Sequence, residues 1–429
     1  MRNWFSTILL LSLFMISGKA RAANMRIVPV AKGWAKSEVN AVIFRQHPLT
    51  TFGNEQYIAF YGEDSSVILA KRKLAEIKWD IRKTRYKGNV SDAHNSISIA
   101  VDGKGILHMS WDHHGHPLRY CRSITPGSLE LTTKMPMTGQ HETRVTYPEF
   151  YNLADGGLLF LYRDGASGNG NLMINRYDVV TSKWSVVQHQ LIHGQGQRNA
   201  YWQAVVDKTG TWHISWCWRE HGGVESNHDI CYARSPDQGK TWEKTTSEKY
   251  RLPITADNAE YVCRIPRNSD LINQTSMTVD EKGRPLITSF WKPEGAQSPQ
   301  YHIIYHKDKQ WHIRQVSQRK TPFALKGGGT RRLPMSRPKI LTDSDGKVYV
   351  IFRDSERGDL VSIAISKDPQ RKTWHIVDLS TGSLEMWEPG YDKILWQREN
   401  ILHLFLQKVH HGGRDLSSQM VSVLEWKPQ

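Results

Sequence analysis

The stretch that decides the fold is "SDAHNSISIAVDGKGILHMSWDHHGH", from Ser91 to His116. It predicts a β-hairpin, because apolar side chains alternate on both sides of the turn Asp102–Gly105. A histidine stands at each side of the open end, His94 before the first strand and His114 after the second. Positions equally distant from the turn lie side by side in a hairpin, so we expect the two imidazoles to meet.

Turns of this kind recur along the chain, and their final glycines are separated by 52, 53, 73 and 63 residues. The five clear turns are Asp102–Gly105, Ala154–Gly157, Asp207–Gly210, Asp280–Gly283 and Asp343–Gly346. Two weaker units, around residues 52–56 and 397–400, bring the number to seven. Repeats of this length are typical of β-propellers, in which each blade of short strands buries its faces against its neighbours. The sequence therefore predicts an all-β fold, a seven-bladed β-propeller of four-stranded antiparallel blades.

Tryptophan ends many of the repeats, and one repeat matches the Asp-box pattern S-x-D-x-G-x-x-W completely, from Ser235 to Trp242. A weaker version of the pattern spans Ser366–Trp374. No stretch rich in Pro, Gly or Ser separates the repeats, so residues 23–429 are predicted to form one catalytic propeller domain. The strand that closes the ring is expected around Met25–Val30.

Residues 1–22 have the composition of a secretory signal peptide. A charged start precedes an apolar run from Trp4 to Ile16, and an Ala-x-Ala site ends at Ala22. Cleavage there removes three basic residues and lowers the formal net charge from +15 to +12. No later apolar run has the length of a transmembrane helix. We therefore predict a secreted or periplasmic monomer that does not associate with membranes.

The strong positive charge of the mature chain indicates an anionic partner. Export makes nucleic acid a poor candidate for that partner, whereas an acidic polysaccharide suits an exported protein. Many exported proteins are basic without such a partner, so charge alone does not decide the function.

The four cysteines contain no C-x-x-C pair. A cross-strand disulfide between Cys217 and Cys231 fits the oxidising compartment. A structural metal site that adds His221 or His228 also fits the spacing, which is not diagnostic. We favour a third alternative, in which the cysteines are buried free thiols.

Three consecutive hairpins bring reactive side chains to one predicted face, opposite the D-x-x-G turns. Equal distances from each turn pair His94 with His114, Tyr147 with Arg163, Arg198 with Arg219, and Tyr201 with Trp216. We interpret this face as a cleft with catalytic candidates His94, Tyr147, His114 and Arg163 and substrate-binding candidates Arg219, Tyr201, Arg198, Trp216 and Trp218.

These side chains suit β-elimination in a uronate-containing polysaccharide. The C5 proton becomes acidic only when the neighbouring carboxylate is neutralised, and Arg163 or Arg219 can do this with a bidentate hydrogen bond. A neutral histidine or a tyrosinate takes the proton, and a tyrosine or histidine protonates the leaving oxygen. We expect nearby cations to lower the pKa of the tyrosine. We also expect Trp216 and Trp218 to offer flat surfaces to sugar rings.

The residues around these candidates resemble a known family. The stretches are "AHNSISIAVDGKGILHMSWDHHGHPLRYCRS", "VTYPEFYNLADGGLLFLYRDGASGNGNL" and "SWCWREHGGVESNHDICYARSPDQGKTW". They are similar to BNR-type propeller proteins that include the ulvan lyases of polysaccharide lyase families 24 and 25, over roughly residues 40–380. The resemblance implies that His94, His114, Tyr147 and Arg163 transfer protons and neutralise the uronate, without a metal for the chemistry. It implies elimination at the rhamnosyl-uronate linkage of an ulvan-like, sulfated chain.

Several alternatives stay open at this point. Related propeller lyases act on the rhamnosyl-glucuronate ends of gum arabic. A sialidase is also a propeller, but it needs an arginine triad and a Tyr/Glu nucleophile pair, and usually several clean Asp-boxes. A non-catalytic carbohydrate-binding propeller has no use for His94, Tyr147 and Arg163 together. The same residues have purely structural explanations as well: a turn cap at His94, and a local ion pair between Arg163 and Asp164.

Overall fold

The computed structural model of the protein describes residues 25–42, 47–273, 276–329, 332–411 and 418–429. The predicted signal peptide, residues 1–22, lies outside the described residues. The described residues contain one α-helix, α1 (Lys393–Glu399), and three short 3-10 turns, Glu38–Asn40, Val224–Ser226 and Ser355–Arg357. No helix in these ranges is long and apolar enough to cross a membrane.

The rest of the regular structure is β-strand. The first fourteen strands are β1 (Met25–Gly33), β2 (Leu49–Phe52), β3 (Glu55–Tyr61), β4 (Ser66–Lys73), β5 (Asp80–Lys87), β6 (Ile97–Val101), β7 (Leu107–Trp111), β8 (His114–His116), β9 (Tyr120–Arg122), β10 (Val145–Asn152), β11 (Leu158–Ala166), β12 (Asn169–Asp178), β13 (Lys183–Gln188) and β14 (Asn199–Val206). The others are β15 (Trp212–Arg219), β16 (Asn227–Ser235), β17 (Glu260–Cys263), β18 (Ser276–Val279), β19 (Pro285–Trp291), β20 (Gln300–Lys307), β21 (Gln310–Gln315), β22 (Lys339–Thr342), β23 (Val348–Phe352), β24 (Ser362–Ser366), β25 (His375–Asp378), β26 (Leu402–Leu406) and β27 (Gln419–Trp426).

These strands form seven antiparallel sheets, so the prediction of an all-β, seven-bladed propeller is confirmed. Blades 1, 4, 5 and 6 have four strands each, namely β2–β5, β14–β17, β18–β21 and β22–β25. Blade 3 contains β10–β13 and gains β8 as a fifth strand. Blade 2 (β6, β7 and β9) and blade 7 (β26, β27 and β1) have three strands within the described residues, and single bridges extend them, Ser123–Leu131 and Tyr391–Leu404.

The first strands of blades 1 to 6 contact one another in order and surround a central channel, whereas the last strands of blades 1, 3 and 5 contain no buried residue. The ring closes in blade 7, where β1 from the start of the described chain pairs antiparallel with β27 from its end. Met25 lies opposite Trp426 in that pair. The predicted closing strand around Met25–Val30 is therefore confirmed.

The D-x-x-G turns are held by their aspartates. Asp102 Oδ1 accepts hydrogen bonds from the backbone N–H groups of Lys104 (2.9 Å) and Ile106 (3.0 Å). Its Oδ2 lies 3.2 Å from His108 Nε2, and His108 Nδ1 lies 2.7 Å from the hydroxyl of Tyr120. The same contacts recur in blade 4 with Asp207, His213 and Tyr232. The Asp–His–Tyr groups are therefore part of the scaffold in blades 2 and 4.

The core lies between the blades and is rich in aromatic side chains. Trp242, which ends the complete Asp-box, is 1% exposed. All four cysteines are buried with free thiols, which confirms the third of the cysteine alternatives.

Candidate active site

A narrow cleft opens at the end of the ring opposite the D-x-x-G turns. Its walls include six of the nine predicted site residues, namely His94, His114, Tyr147, Arg163, Tyr201 and Arg219. They come from the loop before β6, from β8 and from the open ends of the first two strands of blades 3 and 4. The placement follows from hairpin geometry, because the start of a first strand and the end of a second strand share one end of a blade.

One carboxylate holds the two histidines. Asp92 Oδ1 lies 2.6 Å from His94 Nδ1, and Asp92 Oδ2 lies 2.6 Å from His114 Nδ1. The imidazole rings stack with centroids 4.0 Å apart and an interplanar angle of 14°. The expectation that the two imidazoles meet is therefore confirmed. The sequence analysis did not predict Asp92. The sequence feature that could have identified it is the D-x-H spacing, because Asp92 Oδ1 also accepts a hydrogen bond from the backbone N–H of His94 at 3.0 Å.

The ionisation of this group follows from its surroundings. Burial tends to raise the pKa of Asp92, but the hydrogen bonds to His114 and His94 outweigh burial and lower it well below its usual range. Burial lowers the pKa of His94, and the hydrogen bond to Asp92 opposes this only in part. An ionised carboxylate only accepts hydrogen bonds, so the Nδ1 atoms of both histidines carry the proton. Neutral His94 therefore has its lone pair on Nε2, the form a general base needs.

His114 reaches the cleft because its segment changes blades. Strand β8 leaves blade 2 and pairs with β10 of blade 3, with His114 opposite Thr146. The backbone N–H of Gly115 donates to Thr146 Oγ1 at 2.8 Å and fixes this crossing. Asp92 therefore connects a histidine from the entry to blade 2 with one attached to blade 3.

A β-bulge directs Tyr147 into the cleft. Thr146 pairs with Arg163 and Glu149 with Leu161, so the register shifts between these pairs, and Tyr147 lies within the shift. The backbone of Tyr147 has a φ of 57°, in the left-handed region that a bulky residue rarely adopts. Bulges often redirect a side chain next to a functional site. The predicted direct pairing of Tyr147 with Arg163 is thus wrong by one residue, but the bulge still brings the two side chains together.

The ring of Tyr147 lies close to both His94 and Arg163. Its ring centroid is 5.9 Å from that of His94 and 5.0 Å from the guanidinium carbon of Arg163. Arg163 is 2% exposed, and its Nε and Nη1 atoms have no hydrogen-bond partner among the described residues. A buried guanidinium with unused donors is costly unless a ligand uses them. Arg163 is therefore well suited to bind an anion in the cleft.

The two cleft tyrosines differ in acidity. Burial raises the pKa of Tyr147, the neighbouring Tyr201 raises it further, and the surrounding arginines offset this only in part. The expectation of a lowered pKa is therefore wrong for Tyr147, which is a protonated phenol at neutral pH. Burial also acts to raise the pKa of Tyr201, but Arg163 and Arg219 outweigh burial there and lower it.

Tyr201 and Arg219 form the blade 4 wall of the cleft. Arg219 Nη1 donates to the Tyr201 hydroxyl at 3.2 Å, and that hydroxyl lies 3.1 Å from Ser167 Oγ. Arg219 also donates to the backbone oxygens of His221 (3.2 Å) and Gly222. These contacts fix the direction of the guanidinium, so Arg219 is a preorganised donor.

Three of the predicted substrate-binding residues lie elsewhere. Tyr201 pairs with Cys217 and not with Trp216, so the blade 4 register differs by one residue from the predicted one. A shift of one residue moves side chains to the other face of a strand. Trp216 and Trp218 consequently lie in the core with 0% exposure, and the prediction that they bind sugar rings is wrong. Arg198 does not line the cleft, and its Nε donates to Glu220 at 2.8 Å.

A third arginine in the cleft was missed by the sequence reasoning. Arg337 precedes β22 of blade 6, far from the other site residues in sequence. Its Nη1 lies 3.1 Å from both carboxylate oxygens of Glu388, and its Nε donates to the backbone oxygen of Asn273 at 3.0 Å. Glu388 balances the charge of Arg337, whereas Arg163 and Arg219 have no carboxylate partner among the described residues.

The potential metal ligands of the cleft are already joined by hydrogen bonds. In the described ranges, Asp92, His94 and His114 are the group whose ligand atoms come within 4.8 Å of one another. The same atoms form the hydrogen bonds described above, so a metal would have to replace the protons on both Nδ1 atoms. The predicted alternative of a cysteine site with His228 is not formed, because His228 lies against Glu220 (2.7 Å) and Asp229 (3.1 Å).

Comparison with known proteins identifies the family of the chain. Residues 55–319 match the model of the BNR repeat-containing family, and the chain belongs to that family. Within it, the chain is similar to the long isoforms of ulvan lyase from Alteromonas sp and from Pseudoalteromonas sp. (strain PLSV), at 25% identity over 294 residues. The match covers 54% of this chain and 29% of each relative, so the chain spans under a third of their length.

Two solved structures share the fold. The polysaccharide lyase Uly1 has a TM-score of 0.73 at 16% identity, with 95% of this chain and 99% of that chain covered. A family PL25 ulvan lyase bound to -[GlcA(1-4)Rha3S]- has a TM-score of 0.67 at 12% identity, covering 93% of this chain and 95% of that chain. The resemblance predicted from the sequence is therefore confirmed.

Proposed function

We propose that this protein is a polysaccharide lyase that cleaves a uronate-containing chain by β-elimination. The observation that carries the proposal is the joint position of three groups in one cleft. A neutral imidazole and a protonated phenol have ring centroids 5.9 Å apart, and a buried arginine with unused donors lies beside the phenol. Elimination needs a base, an acid and a group that neutralises the carboxylate, and His94, Tyr147 and Arg163 match these needs.

The proposed reaction begins with neutralisation of the uronate. Arg163 binds the C5 carboxylate through its unused donors, with Arg219 as a second cation, and so increases the acidity of the C5 proton. His94 Nε2 takes that proton. The electron pair of the C5–H bond forms the C4–C5 double bond, the C4–O4 bond breaks, and Tyr147 donates its hydroxyl proton to O4. Proton transfer from His94 to Tyr147 through solvent restores both groups.

Asp92 and His114 have supporting roles in this proposal. The carboxylate fixes the tautomer of His94 and stabilises the imidazolium that forms when His94 takes the proton. His114 shares the carboxylate, stacks on His94 and restricts its ring orientation. The raised pKa of Tyr147 supports the acid role over the base role, which is the alternative for the other C5 epimer. The proposal needs no metal, because Arg163 can supply the neutralising charge.

The substrate we propose is an ulvan-like, sulfated chain cut at the rhamnosyl-uronate linkage. The similarity to ulvan lyases and the shared fold with a ulvan lyase bound to a sulfated GlcA-Rha chain support this choice. The gum arabic type of rhamnose-glucuronate chain is the alternative substrate. We further propose a secreted or periplasmic monomer without nucleic-acid or membrane partners, supported by the leader-like residues 1–22.

A sialidase-like hydrolase is the main competing function, since three arginines line the cleft. The protein contains a Tyr/Glu pair, in which the hydroxyl of Tyr151 donates to Glu149 at 2.5 Å. Glu149 and Tyr151 lie two and four residues further along β10 than Tyr147; Tyr151 lines the central channel, and neither residue lines the cleft. The nucleophile pair and the arginines are therefore separated, which disfavours a sialidase.

The test is an ultraviolet absorbance assay on a panel of ulvan, gum arabic, pectin and glycosaminoglycans. Elimination creates a conjugated unsaturated uronate and raises the absorbance, and we expect ulvan to give the largest signal. New reducing ends without absorbance would show a hydrolase. Retention of the protein on the polysaccharide without either signal would show a binding module.

A further inference from the structure

Strand β8, which brings His114 to the cleft, lies exposed at the edge of the blade 3 sheet. It is three residues long, and His114, Gly115 and His116 are all exposed. No buried side chain of β8 fixes the strand against blade 3, so its position depends on its hydrogen bonds with β10. The position of His114 depends on the same bonds, because His114 is the first residue of this strand.

Thr146 is the residue of β10 that holds β8 in place. Its backbone lies opposite His114, and its Oγ1 accepts a hydrogen bond from the backbone N–H of Gly115 at 2.8 Å. Thr146 is 0% exposed, and a fully buried side chain is held in one orientation by the packing around it. The hydrogen bond therefore joins an exposed strand to a fixed acceptor inside blade 3.

The same residue connects β8 with the other catalytic candidates. Strand β10 lies between β8 and β11 in the sheet, and on the β11 side Thr146 pairs with Arg163. Tyr147 follows Thr146 directly in the chain. A shift of β8 relative to Thr146 therefore moves His114 relative to both Tyr147 and Arg163.

The position of His114 in turn affects the proposed base. The ring of His114 stacks on that of His94 with centroids 4.0 Å apart, and both rings share the carboxylate of Asp92. A displaced His114 no longer restricts the ring of His94. Misplacement of a catalytic group by about 1 Å can cost on the order of a hundredfold in rate.

We propose that Thr146 is a positioning residue, whose hydroxyl oxygen sets the position of β8 and thereby places His114 against His94 and Asp92. Thr146 does not line the cleft, so it acts through His114 and not through the substrate. The expected effect on turnover rests on the proposed function. The expected effect on the histidine pair does not depend on the reaction that the cleft performs.

The test compares Thr146→Val with Thr146→Ser. Valine keeps the shape of threonine but has no oxygen, and water can replace the lost acceptor because Gly115 is exposed. We expect kcat to fall about ten- to a hundredfold, with KM and the unfolding temperature close to the wild-type values. Serine keeps the oxygen but leaves a methyl-sized gap in a buried position, so it should lower the unfolding temperature and retain kcat. A purely structural role predicts the opposite order, in which kcat falls with stability.

Thr288→Val is the matched control. Thr288 is also 0% exposed in a strand, and its Oγ1 donates to the backbone oxygen of His302 at 2.8 Å in blade 5. Thr288 does not line the cleft, so this variant should keep the wild-type kcat. If Thr146→Val does not fold, Thr146→Ala takes its place in the comparison with Thr146→Ser, because alanine also lacks the oxygen.

Nitrogen-15 NMR of protein labelled at histidine is the second readout, and it needs no substrate. Thr146→Val should change the Nδ1 chemical shift of His114, whereas Thr146→Ser and Thr288→Val should leave it unchanged. A wild-type His114 shift or a wild-type kcat in Thr146→Val would overturn the proposal, and so would an equal loss of kcat in Thr146→Ser. If the wild type performs no elimination, the proposed function fails, but a changed His114 shift in Thr146→Val still supports the positioning role.

Discussion

The substitution Asp92→Asn tests the histidine pair most sharply. An asparagine has one acceptor oxygen and one NH₂ group, so it can accept a hydrogen bond from only one of the two Nδ1–H groups that Asp92 now holds at 2.6 Å. Competition for that oxygen moves the proton of His94 from Nδ1 to Nε2 in part of the population, and this form cannot act as the base. The developing imidazolium also loses its counter-charge.

The size of the effect follows from the role of the group. General base catalysis typically contributes on the order of 10²- to 10⁴-fold, so we expect kcat to fall within that range. The stability cost should be smaller: a hydrogen bond to a charged group contributes about 1.5–3 kcal/mol when buried. The Asp92 side chain is 31% exposed, and solvent screening reduces this to about 1 kcal/mol. KM should change little, because Asp92 does not line the cleft.

The same hairpin provides a matched control. Asp102→Asn removes the carboxylate that holds His108 and two backbone N–H groups at the other end of the hairpin. We expect this variant to lose at least as much stability as Asp92→Asn, measured by thermal unfolding, while kcat stays near the wild-type value. Steady-state kinetics on polysaccharide give the comparison. If Asp92→Asn keeps wild-type kcat, or if both variants lose kcat in proportion to stability, the assigned role of Asp92 is wrong.

Four further predictions concern the cleft and its surroundings. Tyr147→Phe removes only a hydroxyl and should lower kcat at least about a hundredfold with an unchanged unfolding temperature; near-normal kcat would remove Tyr147 from the mechanism. In the pH profile of kcat/KM, the fall in activity on the acidic side should occur below the ordinary histidine pKa, because burial lowers the pKa of His94 and keeps the base neutral to lower pH. Asp92→Asn should move this fall to still lower pH, since the Asp92 carboxylate raises the pKa of His94. Raising salt from low to roughly half molar should raise KM more than it lowers kcat. Loss of the outer Lys240 should reduce only that salt dependence. Arg163→Ala, in contrast, should abolish turnover at every salt concentration. Trp218→Phe should lower the unfolding temperature, measured by calorimetry, without changing KM, measured by steady-state kinetics. A raised KM would support the predicted contact of Trp218 with a sugar ring.

The sequence was most informative where the strands are regular. In the hairpin between His94 and His114 the register is uninterrupted, with Ile97 opposite Trp111, so counting from the turn located both histidines. Counting was off by one in blade 3, where the bulge at Tyr147 is not visible in the alternation of apolar residues. Counting was also off by one residue in blade 4, where Tyr201 lies opposite Cys217, so Trp216 does not share the face of Tyr201 as predicted.

Other parts of the site depend on contacts that local patterns do not encode. Arg337 enters the cleft from blade 6 only because the ring brings blades 3 and 6 around one opening. The acidity of Tyr147 was mispredicted because burial outweighs the nearby arginines, and burial is a property of the assembled ring. Asp92 differs from these, since its D-x-H spacing was available in the sequence.

The most direct test of the central claim is mass spectrometry of the products from a defined uronate-containing oligosaccharide. Elimination adds no water, so the masses of the two products should sum to the mass of the substrate, with the unsaturated uronate at the new non-reducing end. Tyr147→Phe should give little of either product in the same time. Products whose masses exceed the substrate by one water would show hydrolysis and contradict the assignment of His94, Tyr147 and Arg163 to β-elimination.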